Sequence, residues 1–77
     1  MSEVVFPRLS ENEPDAEGVL ATWFVSDGDQ VASGQLLAEV MAEKVSGEVL
    51  APAAGRVRLL VAEDQTARQG EVIARVD

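Results

Sequence analysis

Few groups in this chain could do chemistry, and one of them stands alone. Lys44, in the stretch "EVMAEKVSGEVLAP" (39–52), is the single lysine; every other basic residue is arginine. A lysine amine can be acylated, whereas a guanidinium stays charged and is a poor nucleophile. An exposed lysine is protonated near neutral pH, so an enzyme that modifies it must bring its own base. Cysteine is absent, which removes disulfides, thiolate metal sites and catalytic thiols. Any sulfur redox chemistry must therefore be imported. Histidine is absent too, which removes the commonest general base and metal ligand and excludes Ser-His hydrolysis. Serines and carboxylates remain, but none pairs a nucleophile with a base at a readable spacing. The acids of "SDGDQ" (26–30) flank a glycine without the other ligands of a calcium loop, and the segment reads as a turn. Lys44 thus reads as the substrate of a modifying enzyme in a non-catalytic chain; the plainer alternative is a lysine that only blunts an exposed turn.

Six basic residues against fourteen acidic ones give a net charge of −8, which argues against nucleic-acid backbones and anionic lipid and suits a basic protein surface. No apolar run approaches the roughly 20 residues of a membrane span, and the first residues lack a signal-peptide pattern. The expectation is a cytoplasmic, soluble protein. Seventy-seven residues predict one domain, 1–77, of a size that buries only about 60% of its unfolded surface.

The elements that must position Lys44 are short. Apolar runs rich in valine alternate with turn signals about every 8 to 12 residues, the pattern of an all-β sandwich or barrel. "VLATWFV" and "RLLVA" do not alternate cleanly, which predicts bulges or strands covered on both faces. An offset of 36 residues lays Val25 on Val61, Gly34 on Gly70, Ala38 on Ala74 and Val40 on Val76, so each half reads strand, acidic turn, polar stretch, glycine, strand. Lys44 then falls at the join of a duplicated β unit, at the tip of a hairpin between "LLAEVM" and "VSGEVLAP". Gly28, Gly34 and Gly70 are expected in turns at positive φ, Pro52 and Gly55 between strands, and Trp23 packed on the core.

With those residues in place a resemblance emerges. "EKVSGEVLAPAAGRV" resembles the lysine hairpin of lipoyl domains, and "EGVLATWFVSDGDQVASGQLLAEV" is similar to the run that precedes it there, with Gly18, Trp23, Val25, Gly28, Asp29, Val31, Gly34, Leu37, Glu39 and Val40 in register. "FPRL" near the start and "GEVIARV" at the end extend the match over essentially the whole chain. The resemblance implies a flattened β-barrel, or barrel-sandwich hybrid, of two four-stranded antiparallel sheets related by a quasi-two-fold. It implies lipoic acid in amide linkage on Lys44, with Glu43 and Val45 as flanking residues recognised by a lipoate ligase or lipoyl transferase. It also implies two enzyme partners in a 2-oxo acid dehydrogenase complex: a thiamine-diphosphate-dependent 2-oxo acid decarboxylase and a dihydrolipoyl dehydrogenase. The loop carrying Glu11, Glu13 and Asp15 would then help a decarboxylase choose its carrier.

The sequence departs from the family's pattern in two places. Where Glu-Thr-Asp commonly precedes the modified lysine, this chain has Met41, Ala42 and Glu43, and "RLSENEPDA" is two residues longer than the usual spacing before "EG". The nearest rival is the biotinyl domain of carboxylases, which shares the fold and places its lysine eight residues before the same proline, as Lys44 and Pro52 are placed. That family flanks its lysine with methionines; here the neighbours are Glu43 and Val45. A barrel-sandwich module that is never modified and serves as an interaction domain is the remaining alternative.

Overall fold

The computed structural model describes residues 2–9, 17–42 and 44–77. Among them the regular elements are eight β-strands: β1 (Ser2–Val5), β2 (Glu17–Trp23), β3 (Gln30–Val31), β4 (Leu36–Ala42), β5 (Val45–Leu50), β6 (Gly55–Leu59), β7 (Thr66–Arg68) and β8 (Val72–Val76). They form two antiparallel four-stranded sheets in the orders β1-β8-β6-β3 and β5-β4-β2-β7. Adding four to each strand number, counting on from β8 to β1, turns one order into the other. This is the two-fold that the sequence repeat predicts. Among the described residues no ladder joins the two sheets into a closed barrel, and the architecture is the flattened barrel-sandwich.

The symmetry extends to single hydrogen bonds. Phe24 N–H donates to the Leu37 carbonyl as Leu60 N–H does to that of Ile73, and Gly34 N–H to the Ala51 carbonyl as Gly70 N–H does to that of Phe6. Side chains repeat as well: Asp27 accepts from Leu59 N–H at 2.9 Å and Glu63 from Trp23 N–H at 2.9 Å. Gly28 and its counterpart Asp64 both lie at positive φ, 90° and 67°. Gly34 and Gly70, at 82° and 86°, meet the expectation for those turns.

Packing explains the irregular runs. The β2–β4 register shifts between Leu20 and Thr22, a bulge in "VLATWFV". A shift between Leu36 and Ala38 turns both Leu37 and Ala38 inward, and the corresponding shift in the β1–β8 pair does the same for Ile73 and Ala74. In "RLLVA" the strand ends at Leu59, and the chain then leaves β6 toward the other sheet. The core between the sheets contains Phe6, Leu20, Leu37, Val40, Val57, Ile73 and Val76, all essentially without solvent contact. Trp23 packs against it half-buried, as expected, and its indole N–H donates to the Val61 carbonyl at 2.8 Å. No helix of the described residues is long and apolar enough to cross a membrane.

Candidate functional site

Strands β4 and β5 pair from Leu36 opposite Leu50 to Ala42 opposite Val45. The connection is therefore residues 43 and 44, and Lys44 sits in it, exposed. Its hairpin is held from within by two glycines that take large side chains from the segment after β1. A Cβ on Gly18 would strike the Phe6 ring and come within 2.6 Å of the Met41 carbonyl oxygen; one on Gly47 would come within 2.6 Å of Leu9 Cδ2. At Gly18, where one obstacle is backbone, only glycine leaves room for Phe6; at Gly47 a side chain would have to displace the end of Leu9. Hence the base of the lysine hairpin is tied to the core while its tip stands in solvent.

On the outer face of the same sheet, direct cross-strand partners form a row across four strands: Thr66, Val19, Met41 and Ser46. Met41 is 42% exposed, and Val45, at the start of β5, is 46% exposed. A shallow hollow of about 290 Å³ lies along this row, lined by Glu17, Gly18, Val19, Met41 and Thr66. Beyond it, Glu17 stands opposite Arg68 and Glu39 opposite Glu48. No ion pair joins Lys44 to another described residue.

Of the residues singled out in the sequence, the structure places Lys44 and Val45 together at the hairpin. Glu43, Glu11, Glu13 and Asp15 lie outside the described residues. The acids of "SDGDQ" serve the backbone: Asp29 accepts from Ser26 N–H at 2.8 Å and Asp27 from Leu59 N–H. Among the described residues no three His, Cys, Asp or Glu side chains could share a metal ion. A larger groove, of about 590 Å³, lies between Trp23 and Val61 and is lined by residue pairs that the quasi-two-fold exchanges, such as Trp23 with Leu59 and Val25 with Val61. Lys44 is not part of it. Sequence reasoning noticed Met41 only as a departure and missed Val19 and Thr66 beside it, because their adjacency depends on pairing across three strands.

The chemistry fits a covalent cofactor attached at one point. Lys44 is exposed and is the only side-chain amine in the chain, and the sulfur that a redox carrier needs is absent from it except as methionine thioether. Comparisons with known proteins agree. The model of the biotin/lipoyl family, described as "Biotin-requiring enzyme", matches residues 2–76. The lipoamide acyltransferase component of the branched-chain alpha-keto acid dehydrogenase complex of Bacillus subtilis is 35% identical over 78 residues, covering 100% of this chain and 18% of that protein. The dihydrolipoyllysine-residue acetyltransferase component of the pyruvate dehydrogenase complex of Corynebacterium glutamicum is 38% identical over 76 residues, covering 97% of this chain and 11% of that protein. This chain thus spans less than a fifth of the length of either relative. The solution structure of the lipoyl domain of the 2-oxoglutarate dehydrogenase complex from Azotobacter vinelandii superposes with a TM-score of 0.76 at 28% identity, over 99% of this chain and 96% of that one. With residues 2–76 inside the family model and the fold of a lipoyl domain in its structure, the chain belongs to the biotin/lipoyl family and is of the lipoyl type, not the biotinyl type.

Proposed function

We propose that residues 1–77 work as a single lipoyl-type carrier unit, that Lys44 is the attachment point of lipoic acid, and that the loaded domain shuttles acyl groups and reducing equivalents within a 2-oxo acid dehydrogenase complex. The observation that carries this reading is the exposed placement of the only lysine in the two-residue connection of the β4–β5 hairpin. When bound, lipoic acid supplies a dithiolane that accepts an acyl group together with two electrons and later gives up each to a different enzyme. The chain's own residues do mechanical work. Lys44 offers its Nζ for amide formation, and Phe6 on Gly18 and Leu9 on Gly47 hold the strands beneath it in place. A carrier of this kind contributes effective concentration to the active sites it visits, not bond-making.

The partners in this reading are a lipoate ligase or lipoyl transferase that recognises the residues flanking Lys44, Glu43 and Val45, a thiamine-diphosphate-dependent 2-oxo acid decarboxylase, and a dihydrolipoyl dehydrogenase. Glu11, Glu13 and Asp15 lie in the stretch proposed to discriminate between decarboxylases. The test is to offer the lipoylated domain to pyruvate, 2-oxoglutarate and branched-chain 2-oxo acid decarboxylases, each with its substrate, and to weigh the intact domain. Gain of one acyl group from one of them supports the carrier role and names the complex. No gain from any of the three contradicts it.

A further inference from the structure

The quasi-two-fold provides an internal control for the surface beside the lysine hairpin. Thr66, Val19 and Met41 are neighbours across the outer face of sheet β5-β4-β2-β7. Their symmetry counterparts in the other sheet are Gln30, Arg56 and Asp77: Gln30 pairs with Arg56 as Thr66 does with Val19, and Arg56 exchanges backbone hydrogen bonds with Asp77. The same strand positions thus carry an amide, a guanidinium and a carboxylate in one half and a threonine, a valine and a methionine in the half that bears Lys44. The fold does not require apolar side chains there. An exposed methionine and a half-buried valine in a chain of net charge −8 therefore mark a surface with a use of its own. Met41 is also the residue that stands where the lipoyl family commonly has an acid.

We propose that this band is a resting site for the lipoyl-lysine arm of the same molecule, an inference that builds on the assignment of Lys44 as the acceptor. Lys44 follows Met41 by three residues, two beyond the end of the strand that carries it. Four strands at a spacing of about 4.8 Å set Ser46 and Thr66 roughly 14 Å apart across the band. A lysine stem, an amide, a four-methylene chain and a five-membered ring extend to about the same length at C–C distances near 1.5 Å. The occupant is mostly hydrocarbon and ends in sulfur; the band offers methyl groups and a polarisable thioether, which packs readily against irregular apolar and sulfur-bearing shapes. The 290 Å³ hollow, lined by Glu17, Gly18, Val19, Met41 and Thr66, has room for the ring. The arm then divides its time between this band and solvent.

Because Lys44 is the only lysine, the proposal can be tested without any ligase: an activated ester of lipoic acid acylates Nζ, and the product modified there alone is separated from that modified at the chain's α-amine and verified by peptide mass. Acetylation of Lys44 is the control, since it removes the same charge and adds no arm. The expected result is that the methyl resonances of Met41 and Val19 shift on lipoylation and not on acetylation, and show nuclear Overhauser contacts to the arm's methylenes, while the methyls of Val5 and Leu50 do not move. Met41→Glu should abolish those contacts with the remaining spectrum unchanged. Full occupancy of Lys44 with no contact to Met41 or Val19, or contacts to a different surface, overturns the resting site. If the chemically loaded arm rests on the band but lipoate ligase fails to load Lys44, the carrier assignment falls and the resting site stands.

Discussion

Gly18 and Gly34 invite the same substitution for opposite reasons. At Gly34 the backbone lies at φ 82° and an added Cβ would meet nothing within 4 Å, so Gly34→Ala carries only backbone strain, about 1 kcal/mol. At Gly18 the added Cβ would run into the Phe6 ring and the Met41 carbonyl oxygen at 2.6 Å. Overpacking of this kind costs about 1–3 kcal/mol, and the upper end applies because one obstacle is backbone. In a domain this small each kcal/mol lowers Tm by about 4–8 °C, so Gly34→Ala should lower it by about that much and Gly18→Ala by about two to three times more. Trimming the ring separates the causes. Phe6→Leu should relieve the aromatic part of the clash, so the double variant with Gly18→Ala should lose at least about 0.5 kcal/mol less than the two single losses added, whereas Phe6→Leu with Gly34→Ala should be additive to within about 0.5 kcal/mol. Urea denaturation of the parent, the three single variants and the two doubles provides the comparison. Equal losses at Gly18 and Gly34, or strict additivity of Gly18→Ala with Phe6→Leu, would refute the claim that Phe6 seats on Gly18 beneath the lysine hairpin.

Other consequences can be checked on the same footing. Glu39 and Glu48 stand directly opposite on β4 and β5, both exposed, so Glu48→Lys should stabilise by about 0.2–1 kcal/mol, with a gain that shrinks as salt is added. Trp23→Phe removes the donor to the Val61 carbonyl at 2.8 Å and should cost about 1 kcal/mol of unfolding free energy in denaturant titration while leaving the far-ultraviolet spectrum of the sheets intact. Asp64 takes the place of Gly28 in the second half at φ 67°; Asp64→Val should cost about 1–2 kcal/mol because a β-branched side chain resists that region, and Asp64→Gly should remain within about 0.5 kcal/mol of the parent.

Much of this architecture was legible because duplication writes itself twice. The 36-residue offset that aligns Gly34 with Gly70 also aligns the hydrogen bond from Phe24 N–H to the Leu37 carbonyl with that from Leu60 N–H to the Ile73 carbonyl. Lys44 could be placed at a hairpin tip because the flanking runs are strand-like while the central "AEK" is the most polar and least β-prone part. Local sequence carried less where a residue's environment is made by distant ones. Leu37 and Ala38 are both inward because of a register shift against β5, and "RLLVA" reads as one apolar run although the strand stops at Leu59. Gly18 and Gly47 look like turn glycines by type; their work is to accept Phe6 and Leu9, which come from the segment after the other sheet's first strand. Met41 read as a lost acid, and only the cross-strand neighbours Val19 and Thr66 turn it into part of a surface.

The most direct test of the carrier assignment is the intact mass of the domain after incubation with lipoate ligase, lipoate and ATP, beside a parallel reaction with biotin ligase and biotin and a Lys44→Arg variant. The account predicts one lipoyl group on the parent chain, none on the variant and no biotin on either. Addition of biotin in place of lipoate, or lipoylation that survives Lys44→Arg, would contradict it.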